Sequence, residues 1–343
     1  MKRFKGRDFS ISDQGISVTE AVTIGGITQH LLIQTEKPGS PLLLFIHGGP
    51  SMPIPGVSNR GNDYALVMTT KELVQHFTVV FWDQRGTGKS YSKHIPKDSM
   101  HLQQFIRDGL EVTNYLRQRF QQEKIHLAAH SWGSVIGLSL ACRHPELYHS
   151  YTGFSQITSW AENDKLSYKW LLQIARETNN RKALKALVEV GEPPYTESFK
   201  QWGVIRKWQF KYKSMFYDAG DKESANPSSI FKIMLRSPDY TLMDVYNSLV
   251  RGFKLSYTPR MINDINSFDF FAEAPSLEMP VMFIHGSKEK HVMPELIVRY
   301  VEKLEAPRGK KLLWSDRSSH AFHLGDAREN EQRLIRHLKD CTA

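Results

Sequence analysis

The chain has two cysteines in 343 residues, Cys142 and Cys341. That is too few, and too widely spaced, for a disulfide framework or a cysteine-based metal site. No run approaches the ~18 consecutive apolar residues needed to span a bilayer. The opening MKRFKGRDFS is basic but leads into no apolar segment, so a secretory signal is not expected and a soluble cytoplasmic protein is. No His, Asp or Glu grouping recurs at metal-ligand spacing, and neither a metal nor a cofactor is expected. Internal repeats and low-complexity linkers are also missing. Acidic residues are in the minority: 36 against 45 Lys and Arg, a net charge of +9. The basic residues are scattered, however, and the densest grouping is as short as Arg308, Lys310 and Lys311, so neither nucleic acid nor a membrane is an expected partner. A hydrophobic share of 40% with 24% charged residues is that of an ordinary soluble globular protein.

What is present reads as strand–helix alternation. Segments 16–23 and 27–35 alternate around Gly25-Gly26, the pattern of a hairpin whose glycines supply the positive φ of a tight turn. Short apolar runs follow at 42–46, 77–82, 125–129, 148–154, 280–285 and 311–314. Continuous rather than alternating runs suit parallel strands buried on both faces. Between them, 102–120 carries one apolar stripe at three- and four-residue steps, 134–142 reads as a small apolar helix ended by His144-Pro145, and 294–304 and 328–338 read as later helices. The expected fold class is α/β, with a mostly parallel sheet and helices on both faces. From about 156 to 265 the texture changes to helix-period segments rich in Trp, Tyr, Lys and Arg. A helical insertion in one core made of 1–155 and 266–343 is the simplest organisation.

The sharpest chemical signal is Ala129-His130-Ser131-Trp132-Gly133-Ser134, set between a buried strand and a helix. A nucleophile elbow holds a serine at the tip of the sheet on a strained turn, which requires small residues two before and two or three after it. Ala129, Gly133 and Ser134 meet that demand, and the plain alternative is a serine helix cap. An oxyanion hole needs one N–H just after the nucleophile and another from the loop after an earlier strand. Trp132 supplies the first, and Gly48 and Gly49 of His47-Gly48-Gly49-Pro50 are candidates for the second. The order Ser, acid, His places the base in a loop after the last strand, where Ser318-Ser319-His320 stands, with His323 in reserve. The acid belongs after strand 280–285, and Glu289 is the only carboxylate in Gly286-Ser287-Lys288-Glu289-Lys290-His291-Val292-Met293 before Pro294. His285 and His291 read as structural or surface residues. Arg85-Gly86-Thr87-Gly88-Lys89-Ser90 lacks the glycine spacing of a P-loop and reads as a turn.

Taken together, HGGP at 47–50, WDQRGTGKS at 82–90, HSWGS at 130–134 and the late His320 resemble the proline iminopeptidase family of α/β-hydrolases. The resemblance spans nearly all of both core segments. It implies an eight-stranded sheet with an inserted helical cap, a triad of Ser131, an acid and His320, and release of an N-terminal residue, often proline, from a small-molecule or short-peptide substrate. Three departures stand out. Ser51 replaces the last glycine of HGGPG. Glu289 stands where an aspartate is usual. Finally, Gln209 follows Trp208 where the family places an amine-binding glutamate, and it lies between Lys207 and Lys211; Glu162, Glu177 and Glu197 are the other cap carboxylates available. Dehalogenases and epoxide hydrolases place Asp at the elbow, against Ser131 here. A carboxylesterase and a non-catalytic ligand-binding protein of the same fold are the alternatives.

Overall fold

A computed structural model describes residues 6–342 of the chain. Eight strands form one sheet: β1 (Ile16–Ile24), β2 (Ile27–Thr35), β3 (Leu42–Ile46), β4 (Thr78–Asp83), β5 (Ile125–His130), β6 (Tyr148–Phe154), β7 (Val281–Gly286) and β8 (Lys310–Ser315). Their order is β1-β2-β4-β3-β5-β6-β7-β8. The pairs β1–β2 and β2–β4 are antiparallel and every other pair is parallel. The hairpin turns at Gly25 and Gly26, with φ of 54° and 74°, a conformation two consecutive glycines adopt without a Cβ penalty.

The continuous apolar runs follow from burial on both sides. Leu42, Leu44, Ile46, Leu127 and Ala129 join one core with helices Leu102–Phe120 and Trp132–Arg143. Their neighbours Leu43, Phe45 and Ala128 join a second core on the opposite face, against Leu334, Ile335 and Leu338 of the closing helix Leu324–Thr342. That helix starts earlier than its apolar periodicity suggests. The His323 ring explains this, because its Nδ1 accepts from the Gly325 N–H at 3.0 Å and satisfies a donor of the first turn.

Between β6 and β7 the chain is helical, with Trp160–Glu177, Arg181–Val190, Phe199–Lys211, Pro227–Arg236 and Pro259–Ser267 as its longer elements. A bridge from Ser159 to Asp269 joins the two ends of this helical stretch. Tyr168, Leu171, Leu187, Trp202, Ile205 and Trp208 give it a small core of its own.

The WDQRGTGKS segment is scaffolding. Trp82 donates to Gln29 at 2.8 Å. Asp83 accepts from the N–H groups of Val57 and Lys89 and from the Tyr240 hydroxyl. Arg85 makes a two-pronged pair with Asp108 at 2.8 and 3.0 Å, with both side chains fully buried, and also donates to the Gly25 carbonyl. One ion pair thus locks the hairpin, the β4 exit and helix Leu102–Phe120 together. Removing one partner of a buried pair leaves an uncompensated charge and costs about 3–5 kcal/mol. We therefore expect Arg85→Met to lower the unfolding free energy by that order in urea titrations. Adding Asp108→Asn, which removes the stranded charge, should recover part of the loss.

Candidate active site

β5, an interior strand, delivers Ser131 to the C-terminal end of the parallel strands. Its backbone sits at φ 53°, ψ −124°, a conformation that costs a non-glycine residue energy and survives only where its surroundings enforce it. Three contacts do so. The Ser131 N–H donates to the Phe154 carbonyl at the end of β6 (3.1 Å). The Ser134 hydroxyl donates to the Ser131 carbonyl (2.5 Å) and accepts from the Ile157 N–H (3.0 Å). Finally, Gly133 lies so close to β3 that a Cβ there would stand 2.2 Å from the Ile46 carbonyl oxygen and 2.5 Å from that of His47. The small residue expected two after the serine is needed for this approach.

The structure brings Ser131, His320 and Glu289 together. His320 Nε2 accepts from the Ser131 hydroxyl at 2.9 Å, and its Nδ1–H donates to Glu289 Oε1 at 2.5 Å. Glu289 Oε1 also accepts from the Val292 N–H (3.0 Å), and Oε2 from the Ser155 hydroxyl (2.7 Å). Burial pushes the Glu289 carboxyl up. The His320 and His285 imidazoles outweigh it, together with the His320 and Ser155 hydrogen bonds, and bring the pKa down to about 2.

The strand-end loops are held by further bonds. The Gly286 Cα faces the Ser318 and Ser319 carbonyls with no room for a side chain, so the β7 and β8 loops abut. Asn163, in the first helix of the insertion, donates to the His291 carbonyl and accepts from the Met293 N–H (3.0 and 2.8 Å). The Ser319 hydroxyl and the Lys290 N–H both donate to the Ser214 carbonyl.

Gly48, Gly49 and Trp132 line the cavity into which Ser131 opens. As the first residue of its helix, Trp132 has an N–H with no intrahelical acceptor. Gln84 couples the two sides of the cavity. Its side chain donates to the His47 carbonyl (2.8 Å) and accepts from the Trp132 indole N–H (3.1 Å), while its backbone N–H donates to His47 Nε2 (3.3 Å). Burial lowers the His47 pKa to about 4, so the ring is neutral and its Nδ1–H donates to the Gly48 carbonyl.

His130 and His291 flank His320, with ring centroids 4.7 and 4.8 Å away. Desolvation holds both well below the ordinary histidine value, so they wall the site as neutral rings. His323 lies elsewhere, paired with Asp221 at 2.9 Å.

The cavity measures about 300 Å³. Core residues such as Met52, Ile54 and Val135 form its floor, and Trp160, Trp202, Phe210, Phe216, Phe253 and Tyr257 from the insertion cover it. Glu162, Glu177 and Glu197 do not reach it: Glu162 pairs with Lys165, Glu177 accepts from Gln173, and Glu197 is exposed. Lys207 and Lys211 are exposed too. The cation in the wall is Arg206. Sequence reasoning missed it along with Ser155, Asn163 and Gln84. Among the described residues there is no group of three or more His, Cys, Asp or Glu side chains able to hold a metal ion, and no helix long and apolar enough to cross a membrane.

A family model described as alpha/beta hydrolase fold matches residues 41–327. A Bacillus subtilis (strain 168) protein named probable aminopeptidase YbaC is 30% identical over 327 residues, 95% of this chain and 98% of its own length. A proline iminopeptidase of Heyndrickxia coagulans is 25% identical over 149 residues, 43% of this chain and 46% of that one. Among solved structures, the proline iminopeptidase of Mycobacterium smegmatis aligns with a TM-score of 0.63 at 16% identity, covering 94% of this chain and 98% of its own. At that identity the likeness speaks for the fold alone.

A carboxyl held low in the folded protein contributes stability that is complete above its unfolded value, 4.5 for Glu289, and is lost as pH falls toward about 2. The difference in unfolding free energy between wild type and Glu289→Gln should therefore narrow across that window. A difference that stays constant from pH 6 to pH 2 (roughly two units either side of the ordinary carboxyl pKa) would contradict the assignment.

Proposed function

This chain belongs to the α/β-hydrolase fold family, and we propose that it is a serine hydrolase cleaving an amide or ester bond of a small substrate through an acyl-enzyme. The observation that carries the reading is the unbroken hydrogen-bond relay from Ser131 through His320 to Glu289, opening into an apolar cavity. Ser131 Oγ attacks the carbonyl carbon while its proton passes to His320 Nε2. The oxyanion is met by the N–H groups of Trp132 and of the Gly48-Gly49 loop. Glu289, already ionised, stabilises the imidazolium and keeps the Nδ1–H tautomer. The imidazolium then protonates the departing amine or alcohol, leaving the acyl group on Ser131. A water deprotonated by His320 attacks that ester, and the proton returns to Ser131 as the acid leaves. In the same reading residues 156–265 act as a cap on a core of 1–155 and 266–343, supported by a cavity whose walls come from both.

Two substrate classes have support. Relatives named as an aminopeptidase and as proline iminopeptidases favour a proline iminopeptidase-like release of an N-terminal residue. The wall favours a carboxylesterase-type substrate, because among the described residues no Asp or Glu lines it to meet a free ammonium group.

Ser131→Ala should lower kcat/KM by at least about 10³-fold, and Glu289→Gln by up to about 10⁴-fold, with folding intact. The check is chromophore release from proline p-nitroanilide and p-nitrophenyl butyrate. Turnover in the Ser131→Ala protein equal to wild type would overturn the mechanism. Anilide turnover would select the aminopeptidase, and ester turnover alone the esterase.

A further inference from the structure

Among the described residues, the only charged side chain in the cavity wall, the histidines aside, is Arg206. Its guanidinium lies between two indoles, 4.7 Å from the Trp160 ring centroid and 4.9 Å from that of Trp202. One terminal nitrogen donates to Asp164 and the other to Gln209 Oε1 (2.6 Å). Gln209 is fixed in turn by its own bond to the Ser167 hydroxyl (3.0 Å). In cation–π contact with two indoles and tethered at two corners, the group is preorganised, and each terminal nitrogen keeps a second N–H.

The charge balance has a direction. Asp164 is fully buried and does not line the cavity, so the ion pair presents its positive end to the cavity. The second tether is a neutral amide. A glutamate at 209 would place a second carboxylate on the guanidinium and give the cluster a net negative charge. The position where this chain departs from its resembled family is thus the position that leaves Arg206 with one carboxylate partner and not two. Within aromatic walls that exclude water, such a charge discriminates strongly between ligand charges. A planar guanidinium matches a carboxylate in both geometry and charge.

We propose that Arg206 determines specificity in this cavity, and that the substrate carries a carboxylate on the portion extending from the scissile carbonyl toward Trp160 and Trp202. The proposal rests on the serine-hydrolase reading for its chemistry, but its charge preference is measurable without turnover.

The test compares p-nitrophenyl esters of adipic acid (one carboxylate free), hexanoic acid and ε-aminohexanoic acid, which match in length and differ in terminal charge. Wild type should favour the adipate half-ester over the amino ester by about tenfold or more in kcat/KM, the neutral ester falling between. Arg206→Gln should abolish that order. Because it strands the buried Asp164 carboxylate, Gln209→Glu serves as the second variant; it retains the Arg206–Asp164 pair and should reverse the preference toward the amine. The same comparison is made in binding, with monomethyl adipate and methyl ε-aminohexanoate titrated onto Ser131→Ala protein and read by tryptophan fluorescence. Indifference to charge in wild type, a preference for the amine, or a preference that survives in both variants would overturn the proposal. If no ester is turned over, or turnover persists in Ser131→Ala, the serine-hydrolase reading fails instead, and the binding titration still decides the role of Arg206.

Discussion

The site depends above all on one hydrogen bond, from His320 to Glu289, made where neither side chain is exposed to water by more than a few per cent. A carboxylate taken out of water at that depth is expensive unless its lone pairs are occupied. Here the Val292 N–H and the Ser155 hydroxyl occupy two of those that His320 leaves. That requirement places three segments at once. The β6 end must present Ser155, the β7 loop must curl so that Val292 returns to Glu289, and the β8 loop must set His320 between Glu289 and Ser131. The insertion participates as well, since Asn163 and Ser214 bond to the acid and histidine loops. The geometry around Ser131 is therefore a property of the joined sheet and insertion together.

What the sequence made legible were features with local physical causes. Parallel strands buried on both faces need continuous apolar runs, and the runs stand where the central strands are. The sharp turn at Ser131 needs small neighbours, and Gly133 touches the Ile46 and His47 carbonyls with no space to spare. Glu289 was identifiable because the loop between Gly286 and Pro294 offers no other carboxylate, and the longer side chain still reaches His320.

The illegible residues act across long sequence separations. Ser155 looks like any polar residue ending a strand, and its role depends on a loop 134 residues later. Gln84 matters because β3, β4 and the elbow helix converge on it. Asn163 sits in an otherwise ordinary helical stretch. The glutamine at 209 was visible, as was a cationic neighbourhood, but the cations at hand in sequence were Lys207 and Lys211. Both of these face solvent. Helix periodicity turns the neighbouring Arg206 inward, where two tryptophans from different helices enclose it.

The distinction bears on how activity is inferred within this fold. The parts proposed to break and form bonds follow the strands of the sheet, where a parallel architecture fixes them within narrow tolerances. The parts proposed to read the substrate come from the helical stretch between β6 and β7, whose helices only need to bury their own apolar faces and cover the cavity. A substitution such as glutamate to glutamine at position 209 leaves the first set untouched, since it alters no contact of Ser131, His320 or Glu289. It leaves Arg206 with a single carboxylate partner, Asp164. Likeness in the sheet thus argues for the reaction, and the charge of the cavity wall argues for the substrate. In this chain the two arguments come from separate residues and are open to separate measurement.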